Sequence, residues 1–127
     1  MMLYTIRGLE DGAGGVNIRV RVVSMEEPRK VKTRDGVEHV VVDVGVGDQT
    51  GMVTLSLWDD RSSGIKVGDI VDVNNGYVNR FRGRLRLNIG RYGSLEKVED
   101  PDFPSVERIL ERQKLRRQRR RSVLDKS

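Results

Sequence analysis

Gly76-Tyr77-Val78-Asn79-Arg80-Phe81-Arg82-Gly83-Arg84-Leu85-Arg86-Leu87-Asn88-Ile89-Gly90-Arg91-Tyr92-Gly93 is the stretch on which the reading of this chain turns. It reads as the end of one strand, a short loop and a second strand with strict alternation. Leu85, Leu87 and Ile89 take one face and Arg84, Arg86 and Asn88 the other. Between Arg80 and Arg91 there are five arginines and no acid, and Tyr77 and Phe81 bracket the loop. Arginine supplies charge and a flat guanidinium, while an aromatic ring offers a face to any base. Interleaved, the two suit a single-stranded nucleic acid held without reading its sequence.

Working outward, Val16 to Met25 alternates, with Val16, Ile18, Val20 and Val22 facing one way and Asn17, Arg19 and Arg21 the other. That period predicts a first strand. Glu26-Glu27-Pro28 ends it, and Arg29 to Gly36 reads as a basic turn closing on Asp35-Gly36, a hairpin signal. Val37 to Val46 predicts a second strand with Val40, Val42, Val44 and Val46 inward. After the turn Asp48-Gln49-Thr50-Gly51, Met52 to Trp58 predicts a third, with Val53, Leu55 and Leu57 toward the core. Thr54, Ser56 and Trp58 then share the polar face. Residues 59–69 read as a short helix or loop plugged by Ile65 and Val67. Ile70 to Val78 gives a fourth strand, in which a bulge at Asn75-Gly76 would shift the parity of Tyr77. The fifth covers 84–90, extended by Leu95 to Val98. Five strands, turn signals about every ten residues and a break after the third predict an all-β fold, a small antiparallel barrel.

The chain has 127 residues, enough for one domain with a tail. It has no cysteine, which excludes disulfides, thiolate zinc sites and cysteine nucleophiles. Its apolar runs are too short to span a bilayer, and Met1 to Thr5 lacks the pattern of a secretory signal. A soluble, cytoplasmic protein is expected, with no membrane partner. The net charge of +5 is unevenly placed: residues 107–126 hold nine Lys/Arg and three acids, a net of +6, so the remainder sums to −1. A near-neutral body with an arginine strip and a basic tail points to a polyanion, although such tails also suit acidic proteins and anionic lipid. Asp100-Pro101-Asp102-Phe103-Pro104 marks the boundary between a binding domain, 1–100, and a basic extension, 101–127, partly helical or disordered. There Ser105 caps a helix from about Val106, Ile109 and Leu110 form a short apolar stripe, and fraying is expected past Leu115.

Nothing in the chain supports catalysis, a metal or a cofactor. His39 is the only histidine and has no acidic cluster at ligand spacing. Asp59-Asp60 has no third carboxylate or base associated with it. The glycines from Gly12 to Gly15 lack the Lys-Ser/Thr ending of a phosphate loop.

The segments Val16-Asn17-Ile18-Arg19-Val20, Gly47-Asp48-Gln49-Thr50-Gly51, Leu55-Ser56-Leu57-Trp58-Asp59-Asp60, Gly68-Asp69-Ile70-Val71, Asn75-Gly76-Tyr77-Val78 and Phe81 to Arg91 occur in that order. Together they resemble the small single-domain OB-fold single-stranded DNA-binding proteins of archaea. The eukaryotic relatives of these are the simple single-stranded DNA-binding proteins of the sensor-of-ssDNA complex. The likeness runs over residues 4–98. It implies a five-stranded OB-fold antiparallel barrel with a basic C-terminal helix or tail. It also implies binding of single-stranded DNA, with RNA as a second candidate, in replication, repair or recombination. Repair or replication proteins are candidate partners and a monomer is the favoured state. In this family three aromatics stack on bases, and the matching positions are Trp58, Tyr77 and Phe81. Two departures stand out: relatives commonly end in a Gly-rich or acidic tail, and some carry an aromatic where Asn88 stands here.

The expected interface is therefore Trp58, Tyr77 and Phe81 as stacking rings, with Arg80, Arg82, Arg84, Arg86 and Arg91 on phosphates. Asn88 lies beside them, and Lys32 and Arg34 sit on the loop that flanks an OB groove. For Arg84 and Arg86 the alternative is a solvated strand face paired with Asp43 or Asp72. Tyr92 reads as a cover for the barrel end. Two rival functions remain: an OB scaffold subunit gripping a protein, and a module for structured RNA.

Overall fold

The computed structural model describes residues 3–125; Met1 and Met2 of the start and Lys126 of the basic tail lie outside the described residues. The alternating segments become β1 (Val16–Met25), β3 (Glu38–Gly47), β4 (Met52–Trp58), β5 (Ile70–Phe81) and β6 (Arg84–Val98), joined by a short β2 (Arg29–Lys32). Strand order is β1-β5-β6-β4-β3-β2, and a β1–β3 pairing closes five strands into a ring. The ring closes through one parallel seam, β4 beside β6, while the other pairs run antiparallel. Its interior is the alternation made solid: Val16, Ile18, Val20, Val22, Val44, Val46, Leu57, Val71, Val73 and Leu87 are fully buried. Each such side chain contributes roughly 1.5–3 kcal/mol of burial against the entropy of ordering it.

The strands depart from the sequence reading in two places. The segment read as a basic turn is a real strand: Arg29↔Val41, Lys30↔Val40, Val31↔His39 and Lys32↔Glu38 pair in register. This hairpin extends past the ring, so Val40, expected inward, is 39% exposed. The last strand, expected as 84–90 with an extension from Leu95 to Val98, takes in the intervening residues 91–94 and is one element from Arg84 to Val98.

The expected bulge is present. Pairing of β5 with β6 jumps between Asn74 and Gly76, with Asn75 at φ 56°. Opposite it, residues 90–93 arch out before pairing resumes at Ser94. Glycine is needed there, because a Cβ on Gly93 would lie 2.8 Å from the carbonyl oxygens of both Asn74 and Asn75.

One end of the barrel is sealed by the N-terminal segment and the C-terminal helix. Buried Asp48 accepts hydrogen bonds from the Ile6 and Thr50 amides at 2.9 and 2.7 Å, which fixes the β3–β4 turn and seats Ile6. The helix α1 (Val106–Asp125) starts on Ser105, whose Oγ accepts from the Arg108 amide at 3.2 Å, the capping bond that orphan N-terminal amides require. Ile109 is fully buried against Gly47. The chain reaches α1 under control: Arg19 bonds Asp72 and Asp100, and Arg21 donates to the carbonyls of Phe103 and Pro104. The helix continues past Leu115, where fraying was expected. Residues 107–121 are almost wholly strong helix formers, without glycine or proline, and that propensity carries the helix on. Among the described residues no helix is long and apolar enough to cross a membrane.

Candidate nucleic-acid interface

Residues paired across a sheet point to the same side, so register alone assigns the outer face. On β3 and β4, Val41 pairs with Trp58, Asp43 with Ser56 and Gly45 with Thr54. Across the parallel seam, Thr54 pairs with Arg86 and Ser56 with Asn88. On β5, Tyr77 pairs with Asn88, Asn79 with Arg86 and Phe81 with Arg84. Trp58, Tyr77 and Phe81 therefore stand on one face, opposite the side that fills the barrel. Trp58 is half-buried, while Tyr77 and Phe81 are 42% and 45% exposed.

The rings fall at two ends of that face. Gly90 lies against Tyr77: a Cβ there would sit 3.8 Å from Tyr77 Cδ1 and 3.4 Å from the Asn75 carbonyl oxygen. Trp58 is braced from behind by His39, edge-on with ring centroids 5.5 Å apart. His39 Nδ1 in turn lies 3.0 Å from Asp59 Oδ2. The hydrogen bond with His39, then that from the Val40 amide, hold the Asp59 carboxyl below its ordinary range.

Phe81 marks the other end, four residues along β5, about 13 Å at strand rise. That span leaves room for several stacked bases at the ~3.4 Å spacing of successive nucleotides. The guanidinium carbons of Arg86 and Arg82 lie 4.6 and 5.3 Å from the Phe81 ring centroid. Such cation–π contacts stiffen the ring, at roughly 0.5–2 kcal/mol each. The loop carrying it has positive φ at both central residues, Arg82 (54°) and Gly83 (80°), as a tight two-residue hairpin requires. Glycine takes that conformation freely, whereas Arg82 holds it at a cost and so keeps a cation at the tip.

Below Phe81 sits a polar cluster on the floor of the groove. Asp43 accepts from Arg86 Nη1 at 2.9 Å, Ser56 Oγ at 3.0 Å and Arg29 Nε at 3.2 Å. Burial pushes the Asp43 carboxyl up. Hydrogen bonds from Arg29 and Ser56, with the charges of Arg86 and Arg29, outweigh that and hold it below its ordinary range.

The expected residues thus separate by job. Arg86 is bound to Asp43 and to Ser56, the pairing held open as its alternative, and it supports Phe81 from beneath. Arg80 lies 3.4 Å from Asp11 and donates to the Gly83 carbonyl. Asn88 is buried, its amide donating to Asn79 Oδ1 and the Arg86 carbonyl. Arg82, Arg84 and Arg91 are exposed, and among the described residues none has a carboxylate within ion-pair distance. Arg91 stands on the arch beside Tyr92, at the Tyr77 end. Arg34 occupies the tip of the β2–β3 hairpin. Lys32 pairs with Glu38, and that parity turns it to the face opposite Trp58. The structure does not bring Lys32 to the rings.

Sequence reasoning missed Arg29, His39 and Arg61 as parts of this face. Arg61 donates to the Gly93 carbonyl at 3.1 Å and, at 3.5 Å, to that of Gly90, tying down the arch. Arg29 reaches the Trp58 side only through its pairing with Val41, which in turn pairs with Trp58, and no local sequence period shows that register.

A small closed barrel of five strands with a groove across its outer face defines the OB class of binding domains. The solution structure of a replication factor A related protein from Methanobacterium thermoautotrophicum shares it, with a TM-score of 0.65 at 24% identity, covering 77% of this chain and 92% of that one. The family described as single-stranded DNA binding protein Ssb-like, OB fold, matches residues 9–97, and the chain belongs to that family. The single-stranded DNA binding protein Ssb of Saccharolobus solfataricus is 32% identical over 106 residues, 84% of this chain and 71% of that protein. Replication factor A of Methanothermobacter thermautotrophicus is 28% identical over 117 residues, which span 87% of this chain but 15% of that longer protein.

Proposed function

We propose that this chain binds single-stranded DNA with little sequence preference, stacking bases on Trp58, Tyr77 and Phe81. Arg82, Arg84 and Arg91 take the phosphates, while Arg86, Arg80 and Asn88 set the shape of the groove. The observation that carries this reading is register: the pairing of β3, β4, β5 and β6 puts the three aromatic side chains on one outer face. The Ssb relative from Saccharolobus and the replication factor A relative support the same ligand and a task in replication or repair. The family consists of binding proteins, and the chain acts as one rather than as an enzyme. RNA presents the same π-faces and phosphates, and is proposed as a second, weaker-discriminated ligand of the same groove.

The test is affinity for a thymidine oligonucleotide across a salt series, for Phe81→Ala, Tyr77→Ala and Arg84→Gln. Ring removal is expected to weaken binding by about 1–3 kcal/mol at every salt concentration. Arg84→Gln is expected to flatten the salt dependence by about 0.7 in log–log slope. Wild-type curves from all three variants would place the ligand elsewhere.

A further inference from the structure

Beyond Ile109 the barrel-facing stripe of α1 stops being apolar. The residues that follow it at helical spacing are Gln113, Arg116, Arg117 and Arg120. They face the barrel side that carries Thr50, Met52 and Thr54, and together they form the wall of two clefts. One, of about 750 Å³, is lined by Arg7, Arg84, Arg116, Arg117, Arg119 and Arg120, with no carboxylate in its lining. The other, of about 640 Å³, holds Arg84, Arg117 and Arg120 beside Gly45 and Thr54, again without an acid. Among the described residues none of these six arginines has a carboxylate within ion-pair distance. Like charges gathered this closely repel, and a bound polyanion relieves that repulsion.

The two clefts continue the groove on the outer face. The cleft beneath Phe81 is lined by Arg29, Asp43, Thr54, Arg82, Arg84 and Arg86, and it shares Thr54 and Arg84 with the helix-walled cleft. Arg84 borders all three. From Phe81 toward α1 the aromatic rings end and arginine density rises. Such a surface grips a backbone without holding its bases.

We infer that α1 is a second, phosphate-binding segment of the interface, which takes the sugar-phosphate chain of the same strand after it leaves Phe81 and passes Arg84. This rests on the proposed single-strand function and deepens it: the bound strand is longer than the aromatic face alone accommodates. A strand covering only the rings leaves α1 empty, whereas a longer one engages Arg116, Arg117 and Arg120.

The test uses the full chain with Arg116→Gln, Arg117→Gln and Arg120→Gln combined, a change that keeps helix propensity and leaves Ile109 seated. Thymidine strands of roughly 5 and roughly 25 nucleotides lie near the lower end of, and beyond, the ~4–16 nucleotide range of an OB site. For the long strand, the log–log salt slope of the variant is expected to shrink by about 2, three phosphates at ~0.7 each. Its affinity then changes roughly fifteen- to twenty-fold less than wild type between 50 and 200 mM salt. Short-strand affinity and quenching of Trp58 fluorescence should match wild type. An unchanged long-strand slope overturns the inference. So does a variant that keeps long-strand affinity but loses binding to duplex DNA or to a polyglutamate peptide, since α1 then serves another partner. If the short strand fails to quench Trp58 in the wild type, the stacking reading fails on its own, and α1 is still judged by the long-strand slope.

Discussion

Asp43→Asn is the most informative single change, because it separates the scaffold of the groove from its charge. The carboxylate, with its side chain 9% exposed, holds Arg86 (19% exposed) at 2.9 Å and Arg29 (43% exposed) at 3.2 Å. The bond to Arg86 is charge-assisted and largely shielded, a class that contributes roughly 1.5–3 kcal/mol. The bond to Arg29 is half in solvent and is discounted to at most about 1 kcal/mol. The amide keeps one acceptor but turns an N–H₂ toward two cations, so a loss of about 2–4 kcal/mol is expected. In a chain of this size that lowers Tm by very roughly 6–16 °C. The Asp43 carboxyl is held below its reference of 3.8, so its stabilisation is complete above that value and fades as pH falls through the lower folded-state value. Melting temperatures of wild type and variant should therefore converge in that acidic window and stay apart at neutral pH. Binding should change in the opposite sense at the two ends of a salt series. Freed guanidinia steepen the salt dependence by up to about 0.7 each, while loss of the support beneath Phe81 weakens binding at high salt. Thermal melts at several pH values and titrations at several salt concentrations read both effects. A variant that melts within about 0.5 kcal/mol of wild type, with a parallel salt curve, would refute the assignment of Asp43 as the tie beneath Phe81.

Other substitutions follow the same logic. Arg82→Asn relieves the positive φ but forfeits the cation–π contact with Phe81, so the two offset and a urea melt should move by less than about 1 kcal/mol; single-strand binding should weaken all the same, so that stability and affinity move apart. Ile109→Ala should cost about 2–4 kcal/mol by opening a cavity under α1, and limited proteolysis should then release the basic helix first. Gly93→Ala drives a Cβ to 2.8 Å from two carbonyl oxygens; it should lower Tm and disturb Tyr77 more than Phe81, as side-chain NMR shifts would show.

The barrel was legible because its strands alternate on a strict period, and Trp58 could be placed outward because its parity matched Thr54 and Ser56 rather than Leu55 and Leu57. The hairpin strand Arg29–Lys32 was not legible: it forms by pairing with β3 outside the ring and buries almost nothing, so no hydrophobic period marks it. The role of Arg86 was hidden for a different reason. Its partner Asp43 is 43 residues away and meets it only when the β4–β6 seam closes. Local sequence gives an arginine on the right face but not whether a neighbour has already claimed its charge. The reach of α1 past Leu115 was underestimated because charge density was weighed above propensity, while Gln113 to Arg121 contains no residue that breaks a helix.

The central claim, that unpaired bases stack on the outer face of the barrel, is tested most directly through the indole itself. Trp58 is the only tryptophan, so intrinsic fluorescence reports on that position alone. Titration with a thymidine oligonucleotide should quench it strongly and saturably, and Tyr77→Ala should reduce the affinity read from the same signal. Tight binding measured by another method, with Trp58 emission unchanged, would contradict the account.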